Sequence, residues 1–142
     1  MLRDGTLFWK REDQTLKATR DWKFNLNPLA DALIAPLASQ DNTVIICDNG
    51  KKISGTELFK LTSQISNVLK NSGVQPGHRV VMQAGKTVEA IALYLACIRS
   101  GALFLPLNNA YTPNEMEYFI NDAEPTVIVC EPKSKDLSLI HI

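Results

Sequence analysis

From residue 73 to residue 130 the sequence alternates between two periods, and that alternation restricts the available folds more than any other feature. Arg79-Val80-Val81-Met82-Gln83 is a short, largely apolar run of the kind a buried strand shows. Residues 87–99 then place Val88, Ile91, Leu95 and Ile98 at helical spacing, and Gly101 ends the stretch. Ala102-Leu103-Phe104-Leu105 reads as a second strand, turned by Pro106. Thr112, Pro113 and Glu115 combine a capping box with proline at the first helical position, opening a helix over 115–121. Thr126-Val127-Ile128-Val129-Cys130 is a third strand. Strand, helix, strand, helix, strand predicts parallel pairing with right-handed crossovers. Apolar strands of this type predict a sheet covered on both faces. The expected fold is therefore α/β, a partial doubly wound parallel sheet. Such a sheet normally continues, so the stop after residues 131–136 predicts a chain cut off in mid-domain.

Upstream the signals are local. Residues 1–27 are polar and irregular, with Trp9, Trp22 and Phe24 as isolated anchors of an arm expected to pack on something else. Asn27 and Pro28 signal the cap and first turn of a helix carrying Leu29, Ala32 and Leu33, which Pro36 disrupts or ends. Thr43-Val44-Ile45-Ile46-Cys47, the turn Asp48-Asn49-Gly50 and residues 51–53 predict a β-hairpin. Ser54 and Glu57 have capping-box spacing, Leu58, Leu61, Ile65, Val68 and Leu69 recur at helical period, and Gly73 stops that helix.

Composition narrows the function classes. Fifteen basic and 15 acidic residues cancel among 142, with no basic stripe or polybasic block, which argues against nucleic-acid and membrane-surface partners. No run of about 18 apolar residues exists to span a bilayer. The three cysteines, Cys47, Cys97 and Cys130, form no CxxC pair and are expected to be reduced, buried small hydrophobes. With no signal peptide and no Asn-x-Ser/Thr acceptor, they predict a reducing compartment. The basic N-terminus interleaves Asp4, Glu12, Asp13 and Asp21, which argues against a transit peptide. The expected location is cytoplasmic, with the mitochondrial matrix as the alternative.

Local motifs that could carry chemistry weigh toward structure. Gly85-Lys86-Thr87 stands between a strand and a helix, like the end of GxxxxGK[ST]. The first glycine of that pattern would fall at Val80, inside the strand, and Gly77 lies on the strand's far side. The remaining loop is too short to cradle a polyphosphate, so Lys86 is expected in solvent. Glu115, Glu117, Asp122 and Glu124 could hold Mg²⁺ or do acid–base work. Glu115 is already accounted for as a capping residue, and acids near a helix start favour its dipole. His78, in a Pro-Gly-His-Arg turn, has no partner at telling spacing and is expected to be solvated. Tyr111 and Tyr118 are expected to pack rather than stack on a base.

Function enters through resemblance. Gly73-Val74-Gln75-Pro76-Gly77-His78-Arg79-Val80 resembles the Gly-Val-x-Pro-Gly-Asp-Arg-Val segment of AMP-forming acyl-CoA synthetases, with His78 in place of the usual Asp. Lys86-Thr87-Val88-Glu89-Ala90, Tyr94-Leu95-Ala96 and Gly101-Ala102-Leu103-Phe104-Leu105-Pro106-Leu107-Asn108 match the segments that follow. The helix from Ser54 resembles the family's Tyr-x-Glu-Leu helix, with Gly55-Thr56 where the aromatic usually stands. Asn109-Ala110-Tyr111-Thr112, then residues 114–120, then Asp122-Ala123-Glu124-Pro125 resemble malonyl-CoA synthetases in particular. The resemblance covers residues 45–132.

That resemblance implies the N-terminal part of the large domain of an adenylate-forming enzyme. Residues 1–42 would form an arm and first helix, and residues 43–136 a truncated part of the AMP-binding domain. In such enzymes a carboxylate attacks the α-phosphate of Mg·ATP, giving an acyl-adenylate and pyrophosphate. The coenzyme A thiolate then attacks the acyl carbon and releases AMP. The implied cofactors are ATP, Mg²⁺ and coenzyme A, and the implied partner is a small carboxylate, malonate first. The family's phosphate loop, Mg²⁺-binding Glu, ribose-binding Asp, adenylation Lys and carboxylate-pairing Arg are not found in the 142 residues. No catalytic, cofactor-binding or metal-ligating residue is therefore assigned, and the fragment alone is expected to be inactive. A synthetase for another small or aromatic carboxylate, or a non-catalytic binding module, are the alternatives. Leu137-Ser138-Leu139-Ile140-His141-Ile142 corresponds to CTG TCT CTT ATA CAC ATC, a string resembling a transposase-type sequencing adaptor. The tail is expected to be non-native, the alternative being a native segment that begins the next strand.

Overall fold

The structure, a computed structural model, describes residues 27–130. The arm with Trp9, Trp22 and Phe24, residues 131–136 and the tail lie outside the described residues. Helix α1 spans Pro28–Leu33, and a 3-10 helix spans Ala35–Ser39. Strands β1 (Thr43–Ile46) and β2 (Lys52–Ser54) precede the long helix α2 (Gly55–Asn71). Strand β3 (Arg79–Gln83), helix α3 (Val88–Ser100), strand β4 (Leu103–Pro106), helix α4 (Pro113–Ala123) and strand β5 (Val127–Cys130) complete the described chain.

The expected alternation holds. The sheet runs β4-β3-β5, with β3 parallel to both neighbours. Its inner strand presents two faces. Val80 and Met82 pack with Leu69, Leu93, Ala96 and Cys97 of α2 and α3. Val81 packs with Met116 and Ile120 of α4. The chain steps from β3 to β4 by way of α3, then back past β3 to β5 by way of α4. These crossovers run in opposite directions with their helices on opposite faces, which is how a doubly wound sheet keeps one handedness.

Capping chemistry places the helix starts. Ser54 and Glu57 form a reciprocal capping box at α2, and Thr112 and Glu115 another at α4. The Thr87 hydroxyl accepts from Ala90 N–H at the start of α3. Gly101 ends α3 with φ of 69°, a left-handed conformation that glycine adopts without steric cost. The hairpin forms as expected, β1 antiparallel to β2, with Gly50 N–H donating to Cys47 O at 2.8 Å.

Four expectations need correction. Pro106 does not turn the chain out of β4. It is the last strand residue, in register with Met82, and Leu107 N–H still donates to Met82 O. Pro36 does more than end α1, since it opens the 3-10 helix that puts Leu37 into the core. The core face of α3 is centred on Ala92, Leu93, Ala96 and Cys97, because sheet, α1 and α2 all press on this helix, and Ile91 is left exposed. Cys97 is buried, but Cys47 and Cys130 are only half-buried at strand ends.

Candidate functional site

An open cleft of about 820 Å³ lies at the carboxyl end of β3, between the β1–β2 hairpin and the first turns of α3. Open α/β sheets generally bind ligands beyond the carboxyl ends of their strands. The walls are mainly apolar, with Ile46, Met82, Ile91, Tyr94 and Phe104 among them and Lys86 beside them. The Tyr94 and Phe104 rings lie 5.4 Å apart in a tilted pair.

The loop bearing Lys86 is short. Residues 84–87 link β3 directly to α3, and Lys86 is exposed, as expected. The helix start is already occupied. The Glu89 carboxylate takes its own backbone N–H and the Thr87 hydroxyl, with Lys51 nearby, and these hold its acidity above that of an ordinary glutamate. An anion arriving at this N-terminus would meet a resident carboxylate. Two of the acids around α4 stand at its ends. Glu115 Oε2 accepts from Thr112 N–H and from the Thr112 hydroxyl, each at 2.8 Å, which lowers its pKa. Glu124 caps the other end of α4, its N–H donating to Ile120 O. Among the described residues, no group of three or more His, Cys, Asp or Glu could hold a metal ion. The start of α3 and the acids around α4 are thus engaged at least in part in capping their own helices.

His78 lies at the opposite, amino end of β3, in the turn as expected but only partly solvated. It is half-buried, its Nδ1 takes Gln75 N–H at 3.3 Å, and the Thr126 hydroxyl lies 3.0 Å away. It ties the starts of β3 and β5 together. Tyr111 stacks on Phe119 at 5.0 Å and packs against the core as expected, whereas Tyr118, though it meets Phe119 edge-on at 5.5 Å, is 67% exposed and does not pack as expected. Burial pushes the Cys97 thiol up to about 11, which leaves it unsuited to nucleophilic work.

One residue escaped the sequence reading. Gln83 is buried at the carboxyl end of β3, and its amide nitrogen donates to Asn108 O at 3.1 Å and Tyr111 O at 3.4 Å. The available signal was a polar residue closing an apolar strand.

Comparison with known proteins gives a consistent result. The family described as AMP-binding enzyme matches residues 35–141. ATP-bound MatB from Rhodopseudomonas palustris superposes with a TM-score of 0.75 at 42% identity, over 80% of this chain and 22% of that one. A probable CoA ligase, CCL9, from Humulus lupulus is 31% identical over 66% of this chain and 18% of its own length. An acetyl-coenzyme A synthetase from Sinorhizobium medicae is 35% identical over 66% of this chain and 15% of its own length. The chain spans about a fifth of the length of such relatives.

Proposed function

The chain belongs to the AMP-binding enzyme family, and on that premise we propose that it is the N-terminal part of an AMP-forming acyl-CoA ligase acting on malonate. The full-length enzyme would join malonate to coenzyme A at the expense of ATP, releasing AMP and pyrophosphate. The observation that carries the reading is the family match over residues 35–141, joined to 42% identity with MatB over 80% of the chain. The resemblance of residues 105–125 to malonyl-CoA synthetases supplies the substrate. A second reading, another small carboxylate, is favoured by 35% identity to an acetyl-coenzyme A synthetase and 34% over 64 residues to an oxalate–CoA ligase of Arabidopsis thaliana.

The described residues supply a parallel sheet with capped helices, and the reading takes them as scaffold. The 142-residue chain should therefore be silent in pyrophosphate exchange into ATP. No helix among the described residues is long and apolar enough to cross a membrane. The proposed setting is cytoplasmic, without nucleic-acid or membrane partners. AMP release by the full-length reading frame, measured with malonate, methylmalonate, acetate, octanoate and coumarate, tests the proposal. Malonate should give the highest kcat/KM. A monocarboxylate in first place removes the malonate assignment, and silence on all five removes the ligase assignment.

A further inference from the structure

One face of α3 is covered at its carboxyl end and exposed at its amino end. Ile91, Tyr94 and Ile98 recur at i, i+3 and i+7, the spacing of a single helical stripe. Ile98 is buried, packed with Ile34 and with Ala30 of α1. Ile91 and Tyr94 are each 42% exposed. They run on into the cleft wall, where Ile46 is 68% exposed and Phe104 pairs with Tyr94. A continuous apolar patch, unlike singly scattered apolar residues, marks a surface that something covers.

The chain enters the described structure at the covered end of that stripe. Asn27 Nδ2 donates to Ile98 O at 2.6 Å, and Asn27 is itself extended, with φ of −83° and ψ of 103°. The five residues before it, Trp22-Lys23-Phe24-Asn25-Leu26, alternate apolar and polar. An extended run of that pattern carries Trp22, Phe24 and Leu26 on one face. The lengths agree. Five extended residues span about 17 Å, and the step from Ile98 back to Ile91 spans about 10 Å of helix. Attachment at Asn27 also gives this segment a local concentration at the stripe that an untethered partner lacks.

We propose that residues 22–26 of this chain lie extended along the α3 stripe, with Trp22 seated in the cleft against Ile91, Tyr94 and Ile46. The occupant is the chain's own arm, and the inference does not depend on the ligase reading. A seated Trp22 joins the β1–β2 hairpin to α3 through the cleft between them. The cleft is then a seat for the chain itself.

Tryptophan fluorescence tests this, because the two tryptophans of the 142 residues, Trp9 and Trp22, both lie in the arm. In Trp9→Phe, Trp22 reports alone. Its emission should lie to the blue of the emission in urea. Adding Ile91→Asp puts a charge in the seat and should shift that emission to the red, toward the urea value. Adding Val68→Asp instead, at a 63% exposed position of α2 outside the cleft, should leave it unchanged. Urea-like emission from the folded protein overturns the proposal. So does blue emission that ignores Ile91→Asp, which leaves the cleft to another segment. A blue shift that fades on dilution also overturns it, because the arm in the seat would then be that of a second copy. If Ile91→Asp fails to fold, nuclear Overhauser contacts in the wild type decide. Cross-peaks from the Trp22 indole to Ile91 or Tyr94 support the proposal, and their absence overturns it.

Discussion

The side chain of Asn27 joins two helices at once: its Nδ2 donates to Ile98 O near the end of α3 at 2.6 Å, while its Oδ1 accepts from Leu29 and Ala30 N–H at the start of α1. A helix of six residues has little stability of its own, so α1 depends on this cap and on the packing of Ala30 and Ile34. Asn27→Ala removes the cap, about 1 kcal/mol, and a hydrogen bond worth about another 1 kcal/mol. Asn27→Ser keeps the cap but is too short to reach Ile98, so it should lose about half as much. Urea midpoints of the three proteins check the order. Equal losses for Ala and Ser would show that the bond to Ile98 contributes nothing.

The capping boxes predict an acid-sensitive fold. Glu57 is held below its ordinary 4.5 first by Ser54 N–H and then by the Ser54 hydroxyl, and Glu115 likewise by Thr112. A folded pKa below the unfolded one means that the unfolded chain binds more protons as the pH falls. This stabilisation is complete above 4.5 and is lost as the pH drops through the lowered folded values. Thermal midpoints of the wild type should fall in that window. A Glu57→Gln, Glu115→Gln double variant, which keeps an acceptor at each cap but does not titrate, should show a shallower fall. Equal slopes would show that other carboxylates govern the acid limb.

How much of this was legible in the sequence depended on range. Ser54 with Glu57, and Thr112 with Glu115, could be read because each box closes within four residues. The parallel sheet could be read because Val80 and Val81 sit next to one another with no polar alternation, as two-sided burial requires. The order β4-β3-β5 could not, since pairing between Gln83 and Cys130 skips over a whole intervening strand and two helices. Ile91 was misplaced because helical periodicity finds an apolar stripe without saying which neighbours press on it. Gln83 was missed because its partners, Asn108 and Tyr111, lie 25 and 28 residues away in a turn with no marking of its own.

Cysteine reactivity should divide along the same lines as burial. With its thiol pushed up to about 11, Cys97 is thiolate at roughly one part in a thousand near pH 8. Native protein treated with iodoacetamide should be labelled at Cys47 and Cys130, with Cys97 reacting only after urea is added. Mass spectrometry of the digested protein reads the three sites separately. Labelling of Cys97 at the rate of the other two would mean that the interface between α3 and the sheet opens readily.

Lys86 should be dispensable for nucleotide affinity in the full-length enzyme. Glu89 and Thr87 already occupy the start of α3, and the loop of residues 84–87 is short. Lys86→Ala should leave the Kd for ATP within a factor of about three by calorimetry. A hundredfold loss, about 2.7 kcal/mol, would reinstate a phosphate-binding role.

Gly55 opens α2, and the structure gives a steric reason for a residue without a side chain there. A Cβ built on Gly55 would lie 2.6 Å from Gln40 O and 2.8 Å from Gln40 Cβ. That carbonyl cannot simply move aside, because it accepts Thr56 N–H at 3.0 Å, one of the otherwise free donors at the start of α2. Gly55 N–H donates to Asn42 O at 3.2 Å on the other side, so the segment before β1 is held against the helix start from two directions. Two effects of Gly55→Ala oppose each other. Alanine favours a helix over glycine by up to about 1 kcal/mol, less in the first turn, whereas forcing extra volume into a filled site costs about 1–3 kcal/mol. The steric term should win, because it also breaks a backbone hydrogen bond. Gly55→Ala is therefore expected to destabilise the fold by about 1–2 kcal/mol in urea unfolding. A stabilising result would mean that the segment at Gln40 lifts from α2 freely, and the hairpin that follows it would then be only loosely attached.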